Sequence, residues 1–407
     1  MNELTSAAPH YREPLLKTPF HQRSRAASQV DSFIRWAGYT TVDVFTTVEQ
    51  EYFAIRNTCS VYDLTPMIKY RITGGDAEAY LNRLVTRDVR KIKVNRVGYT
   101  VWCNDEGHII DDGTIFHLGP NSYLLCTAER QLNWFLDSAT GFDVVVEEIT
   151  QTIAALSLQG PTSCAVLRKL GLTAAGSLTI ERLKPFDIGK FTLEGRELTV
   201  SRTGFTGDLG YELWMAPADA EFFWDHLMQA GSSRGIRPVG SQALNMVRIE
   251  AGFIMPNLDF VSAESTVRIA RDRTPFELDL AWLVDLQKGH FNGRRALLAA
   301  QVKGPSRKLV GLDIEGNKPA HSALLYKDKN CGTQIGAVTS ALWSPTCKRN
   351  LALAMVDAPY FEKGQKIWAE IYLCRELVWE RRVAQALVVE KPFFTPERRK
   401  LTPPADR

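Results

Sequence analysis

An excess of charge of either sign is missing from this 407-residue chain: 49 basic side chains against 46 acidic ones leave a formal +3. Such a balance gives no electrostatic footprint for nucleic acid or for an anionic membrane, so neither is expected as a partner. The seven cysteines, at 59, 103, 126, 164, 331, 347 and 374, form no Cys-x-x-Cys pair and no Cys/His cluster from which a tetrahedral metal site could be built. Reduced, mostly buried thiols and no metal are therefore expected. The first 25 residues lack the apolar core of a secretion signal, and no run is long and apolar enough for a membrane helix. These absences point to a soluble, cytoplasmic protein. Also missing are G-x-S-x-G, H-E-x-x-H, a Walker loop and a dinucleotide fingerprint, which removes the commonest hydrolase, zinc-protease and nucleotide-binding readings.

What is present is a long chain with 45% hydrophobic residues, enough for two or three globular units. Helical and strand patterns are mixed without strict alternation, which favours an α+β fold. A helix is expected from about Thr47 to Asn57, a strand over Lys69–Thr73 and a helix from Ala77 to Val85. A hairpin is expected where Gly113–Leu118 and Ser122–Thr127 flank Gly119-Pro-Asn121. Helices near 129–138 and 241–251 bracket a second α and β block, and 252–274 reads as irregular. From Lys308 to Val389 short strands alternate with turns, the texture of a small β-barrel, reached through a linker at 299–307. The division expected is an N-terminal arm (1–27), a main region (28–300), a barrel (308–393) and a solvated, Pro- and Arg-rich tail (394–407).

Two stretches carry the candidate chemistry. In Ser201-Arg-Thr-Gly-Phe-Thr-Gly-Asp-Leu-Gly-Tyr-Glu-Leu-Trp214, glycines at 204, 207 and 210 suggest a phosphate loop, but the residues that follow alternate as a strand. The notable group is then Glu212, a carboxylate on a strand just past a glycine-rich hairpin. The second stretch, Asn104–Phe116, feeds Asp111 and Asp112 into the start of an apolar strand, whose alternation sends them to opposite faces. Either one of them points inward and needs a partner, or one caps the turn while the other is solvated. His108 and His117 share this hairpin, but without a Cys or Ser nucleophile nearby they read as structural.

Six segments occur in an order that resembles the glycine-cleavage T-protein family: 55–67, Gly107–Asp112, Leu158–Pro161, Ser201–Gly207, Arg248–Gly252 and Ile335–Ser340 with Ser344-Pro345. The resemblance spans about residues 28–395. It implies a three-domain cloverleaf with a C-terminal β-barrel and tetrahydrofolate in a central channel. It implies further that Glu212 grips the pterin, since an acceptor-only carboxylate suits the parallel 2-amino and N3–H donors. The hairpin glycines would let backbone approach the flat ring. Asp112 would lie by the folate nitrogens as the acid–base group, and Met67 and Tyr99 would line the channel.

Departures from the family pattern bear on the subfamily. Leu244 stands where an arginine is usual, Phe205 replaces a tyrosine, and Phe393-Phe394 replace a tyrosine pair. The stretches 235–241 and 107–118 look more like folate-dependent demethylases, which implies transfer of a methyl or methylene group from an O-, S- or N-methylated small molecule to tetrahydrofolate. The alternatives are an aminomethyltransferase acting on a lipoyl carrier protein and a non-catalytic folate-binding protein, the latter disfavoured by His290 where that branch carries cysteine.

Overall fold

The computed structural model describes residues 15–174 and 176–404, so the first fourteen residues of the expected arm lie outside it. The chain opens with β1 (Leu16–Lys17), α1 (His21–Ala27), β2 (Ser32–Trp36) and β3 (Tyr39–Val44), whose strands make a small sheet in the order β1-β3-β2. The described part of the arm packs: Phe20 is fully buried with the apolar face of the six-stranded sheet described below. Helix α2 (Val48–Asn57) starts where Thr47 accepts a hydrogen bond from Gln50 N, with Glu49 and Glu51 in the first turn favoured by the helix dipole. Glu51 is buried because it satisfies orphan backbone donors, accepting from Phe45 N and Thr46 N on Oε1 and Gly240 N on Oε2.

Two antiparallel-rich sheets form the body. Strands β4 (Cys59–Asp63) and β5 (Ile68–Thr73), helix α3 (Ala77–Leu84), strands β6 (Arg96–Cys103), β7 (Ile109–Gly119) and β8 (Ser122–Thr127), helix α4 (Leu132–Ser138) and β9 (Val145–Glu148) follow in turn. All of these strands except β4 make a five-stranded sheet, β6-β7-β8-β5-β9. Strand β10 (Ala154–Gln159), helix α5 (Ser163–Leu170), strands β11 (Ile188–Leu193), β12 (Arg196–Ser201) and β13 (Gly210–Met215), helix α6 (Ala220–Gly231) and β14 (Ile236–Pro238) complete the six-stranded sheet β11-β12-β13-β10-β4-β14. Each sheet covers one face with its helices: Tyr211 and Leu213 of β13 pack with α5 and α6, and Tyr70, Trp102 and Ile115 pack with α3 and α4. The opposite faces meet in a central cluster holding Phe116, Trp214 and, from α7 (Ser241–Glu250), Ala243 and Val247. The fold is α+β, as the mixed sequence pattern implies.

Between α7 and α8 (Arg294–Lys303) the chain has only short 3₁₀ turns and loops. Residues 299–303, expected as linker, are the end of α8; Gly304-Pro-Ser306 alone connects it to β15 (Arg307–Ile314). The closed barrel continues with β16 (Leu324–Tyr326), β17 (Gln334–Ser344), β18 (Arg349–Asp357), β19 (Lys366–Arg375) and β20 (Val378–Val389). Alternation along β15 and β18 sends Leu312 and Ala354 into the barrel and Leu309, Leu351 and Leu353 outward onto Ile249 and Val101.

The tail reading is corrected by the structure. Arg398 forks onto Asp208 at 2.6 and 2.7 Å, and Arg202 donates to the backbone oxygens of Arg398, Arg399 and Leu401. Arg56 lies over the Phe394 ring while binding Glu250 through Nε and Nη2 at 2.8 and 2.6 Å. The basic run is held because Asp208 is fully buried and a lone buried carboxylate needs cationic partners.

Candidate active site

The aspartate pair owes its arrangement to a bulge. Cys103 pairs with Ile109 and Trp102 with Asp111, so Ile110 is an extra residue on β7. Alternation restarts from there. Asp111 then shares a face with Ile115, toward α3 and α4, and Asp112 shares the central face with Phe116. Neither aspartate is a solvated turn residue. Asp111 is buried, its Oδ1 accepts from Asp112 N at 2.9 Å, and its Oδ2 has no partner. Burial first, and then the neighbouring Asp112 charge, push its carboxyl well above the ordinary range. Asp112 is half-buried, and its Oδ2 accepts from the Tyr99 hydroxyl at 2.7 Å. Burial raises it to about 6, with Tyr99 holding it down.

Glu212 is set by the β12–β13 ladder, which pairs it with Ser201 and leaves 202–209 as the connection. Its Oε2 accepts from Thr203 Oγ1 at 2.5 Å and Ser201 Oγ at 3.5 Å, whereas Oε1 has no hydrogen-bond partner among the described residues. Burial pushes this carboxyl up to about 7 against those hydroxyls and Lys69. The hairpin glycines are also required by the packing around them. A Cβ on Gly204 or Gly210 would fall 2.2 or 2.0 Å from the Gln159 side chain, and one on Gly207, at φ +70°, 2.6 Å from Ala251 Cβ. Gly204 and Gly210 make room for Gln159, which donates to the Thr203 and Tyr211 carbonyls and accepts from Thr206, so the hairpin is braced from within.

The two carboxylates stand on the sheet faces that meet where Phe116 and Trp214 pack edge to face, with ring centroids 5.1 Å apart. Asp112 lies four residues from Phe116, about 13 Å along the strand, and Glu212 two residues from Trp214, about 7 Å. Met67, half-buried in the β4–β5 turn, packs against the same cluster, as does Leu244. Tyr99 lies against Trp282 at 6.0 Å, and Trp282 is exposed. Phe205 stacks on Phe253 at 5.3 Å and 15°. His117 is buried, with Nδ1 against the Ile92 carbonyl and its ring stacked on Tyr123; His108 pairs with Asp272 at 3.5 Å; His290 is exposed. None of the three joins the carboxylates.

One residue of this region went unread in the sequence. Lys69 is fully buried on the central face of β5, donating to the Thr65 and Met67 carbonyls at 2.8 Å each. In sequence it shares parity with Arg71, whose guanidinium is half exposed on Glu147, so alternation alone reads it as a solvent-facing lysine. Among the described residues no cluster of His, Cys, Asp and Glu could hold a metal ion, and no helix is long and apolar enough to cross a membrane.

Comparison with known proteins places this geometry in a family. The family model for the GCVT N-terminal domain matches residues 20–288, and that for the glycine cleavage T-protein C-terminal barrel domain matches residues 307–394. The chain is 34% identical over 366 residues to an aminomethyltransferase of Halothermothrix orenii, covering 89% of this chain and 95% of that protein. It is 36% identical over 363 residues to a trimethylamine-oxide aldolase of Ruegeria pomeroyi, covering 86% of this chain but 44% of that protein. The fold matches that of the glycine cleavage system aminomethyltransferase T from Bartonella henselae with a TM-score of 0.80 at 24% identity, over 94% of this chain and 98% of that one. The chain therefore belongs to the glycine-cleavage T-protein family, the aminomethyltransferase type of folate-dependent transferase.

Proposed function

We propose that the protein is a tetrahydrofolate-dependent one-carbon transferase that demethylates an O-, S- or N-methylated small molecule. The observation that carries this reading is the pair of half-buried carboxylates, Asp112, held by the Tyr99 hydroxyl, and Glu212, with Oε2 held by two hydroxyls and Oε1 without a hydrogen-bond partner among the described residues. That arrangement suits the cofactor: a pterin presents the 2-amino and N3–H donors that the open Glu212 Oε1 lacks. Met67, Tyr99 and the Phe116–Trp214 contact supply apolar surface for a flat ring. The regions we assign to these roles are 28–300 for folate and 308–393 for the barrel.

When bound, tetrahydrofolate supplies the nitrogen that accepts the one-carbon unit. Glu212 holds the pterin edge and fixes its orientation. Asp112, raised to about 6 by burial, takes the proton displaced from the accepting nitrogen and returns it to the leaving group. Tyr99 holds Asp112 in one rotamer and favours its anion. Leu244 puts an apolar side chain where the family pattern has an arginine, which supports a substrate other than a carrier-protein arm.

Aminomethyl transfer from a lipoyl carrier protein is the second reading, favoured by relatives named aminomethyltransferase that match over nearly their whole length. One experiment separates the two. Methylated amines, sulfonium compounds and methyl ethers are incubated with the protein and tetrahydrofolate, alongside an aminomethylated lipoyl carrier. Methyl-tetrahydrofolate from a small molecule, read by mass spectrometry, is the expected result; ammonia release from the carrier alone would give the second reading instead.

A further inference from the structure

Two buried lysines outside the carboxylate pair invite comparison. Lys288 Nζ donates to the backbone carbonyls of Asn82, Val85 and Arg87, so its three protons close off the end of α3 and the turn beyond it. Lys69 differs. Its Nζ gives two protons to Thr65 O and Met67 O, and its third has no partner among the described residues although the side chain is fully buried. A buried donor without an acceptor is disfavoured, so such a group in a family site points to an acceptor that arrives with a ligand.

The neighbours say what kind of acceptor. The ammonium stands 5.8 Å from the Trp214 ring centroid, and its charge is felt by Glu212, two residues back along the same face of β13. Lys69 and Glu212 make no direct ion pair, so an unengaged donor and an unengaged acceptor stand near the same Trp214. Asp63 and Cys126 are the other titratable groups acting on the lysine. A ring edge that engages both must present donors toward Glu212 and an acceptor beside them toward Lys69. A 4-oxo pteridine has that order: 2-amino and N3–H, then the exocyclic oxygen.

Resting on the folate reading above, we propose that Lys69 determines ring specificity by donating to the exocyclic oxygen next to the edge held by Glu212. The site thereby selects 4-oxo pteridines over 4-amino ones, whose amino group would set donor against donor.

The test is equilibrium binding, followed by tryptophan fluorescence or calorimetry without turnover, of tetrahydrofolate and its 4-amino counterpart. Wild type should prefer the 4-oxo ligand by roughly tenfold or more, and Lys69→Met should narrow that preference severalfold, the remainder coming from N3, which carries a proton for Glu212 only in the 4-oxo ring. If Lys69→Met melts below the assay temperature, Lys69→Gln replaces it; an amide can serve either exocyclic group, so the same narrowing of the preference is expected. An unchanged ratio in the folded variant, or no preference in wild type, overturns the inference while leaving the folate reading standing. Wild type that binds neither ligand removes the folate reading and this inference with it.

Discussion

The Tyr99 hydroxyl reaches diagonally across the β6–β7 ladder to donate to Asp112 Oδ2 at 2.7 Å, although the residue directly opposite Asp112 is Val101. A diagonal neighbour is within reach of an aromatic side chain, and this one stabilises the anion of a carboxyl that burial would otherwise protonate. Removing the donor should therefore move the carboxyl further up. For Tyr99→Phe, the acid limb of the single-turnover pH profile is expected to shift toward higher pH by about half to one unit. A limb that stays in place would show that Asp112 is not the titrating base.

Asp111 and Asp112 should part company on substitution. Asp112→Asn is expected to slow one-carbon transfer by about 10²–10⁴ with folate affinity largely kept, because the amide preserves shape but accepts no proton. Asp111→Asn, on the α3/α4 face, should stay within a few-fold of wild type. Rapid-quench detection of the folate product compares them, and a reversal of the two outcomes would move the acid–base role to Asp111.

Stability adds a separate signature for Asp111. Its carboxyl is raised in the folded protein, so the folded state binds the proton more tightly than the unfolded chain does. Stability from this group is then greatest below the unfolded carboxyl pKa of about 4 and is lost as pH rises toward the folded value. Asn has no proton to lose, so Asp111→Asn should melt at or above wild type, with the difference widening from pH 5 to pH 8. Melting curves across that range that show a lower and pH-independent midpoint would contradict the buried-acid assignment.

Folate affinity should depend on Glu212 and on pH together. With the carboxyl at about 7 in the free protein, donors on the ligand favour its anion, so affinity should rise as pH increases from 6 toward 8. Glu212→Gln sets a donor against donors, which lowers affinity by roughly tenfold or more and flattens that rise. Calorimetric titrations at three pH values measure both effects; an unchanged affinity in a folded variant would detach Glu212 from the ligand.

The C-terminal strap should matter to the hairpin it covers. Asp208 lies between Arg56 and Arg398 in the connection that leads to Glu212. Arg398→Ala leaves that buried carboxylate one cation short, a loss on the order of 2–4 kcal/mol after allowing for the partial exposure of Arg398. A lower melting temperature and weaker folate binding are expected in scanning calorimetry and titration. Wild-type values for both would mean that Arg56 alone suffices.

Local pattern by itself determined much of this protein. Thr47 ahead of an acidic first turn, Gly119-Pro-Asn121 between alternating strands, and the strand texture after Lys308 fix elements through near-neighbour physics, and each is present in the fold. The order of six short segments sufficed for the family. What only the tertiary structure decided are relations between residues far apart in the chain. The Ile110 bulge fixes the faces of Asp111 and Asp112 through pairing with β6. The glycines at 204 and 210 are required by Gln159, some fifty residues away, and the arginines near the C-terminus are held by Asp208. Lys69 and Arg71 have the same strand parity, yet one is buried and the other exposed, because the second sheet covers only one end of β5. Periodicity reports which face a side chain takes; what lies against that face depends on packing between sheets, which no local pattern encodes.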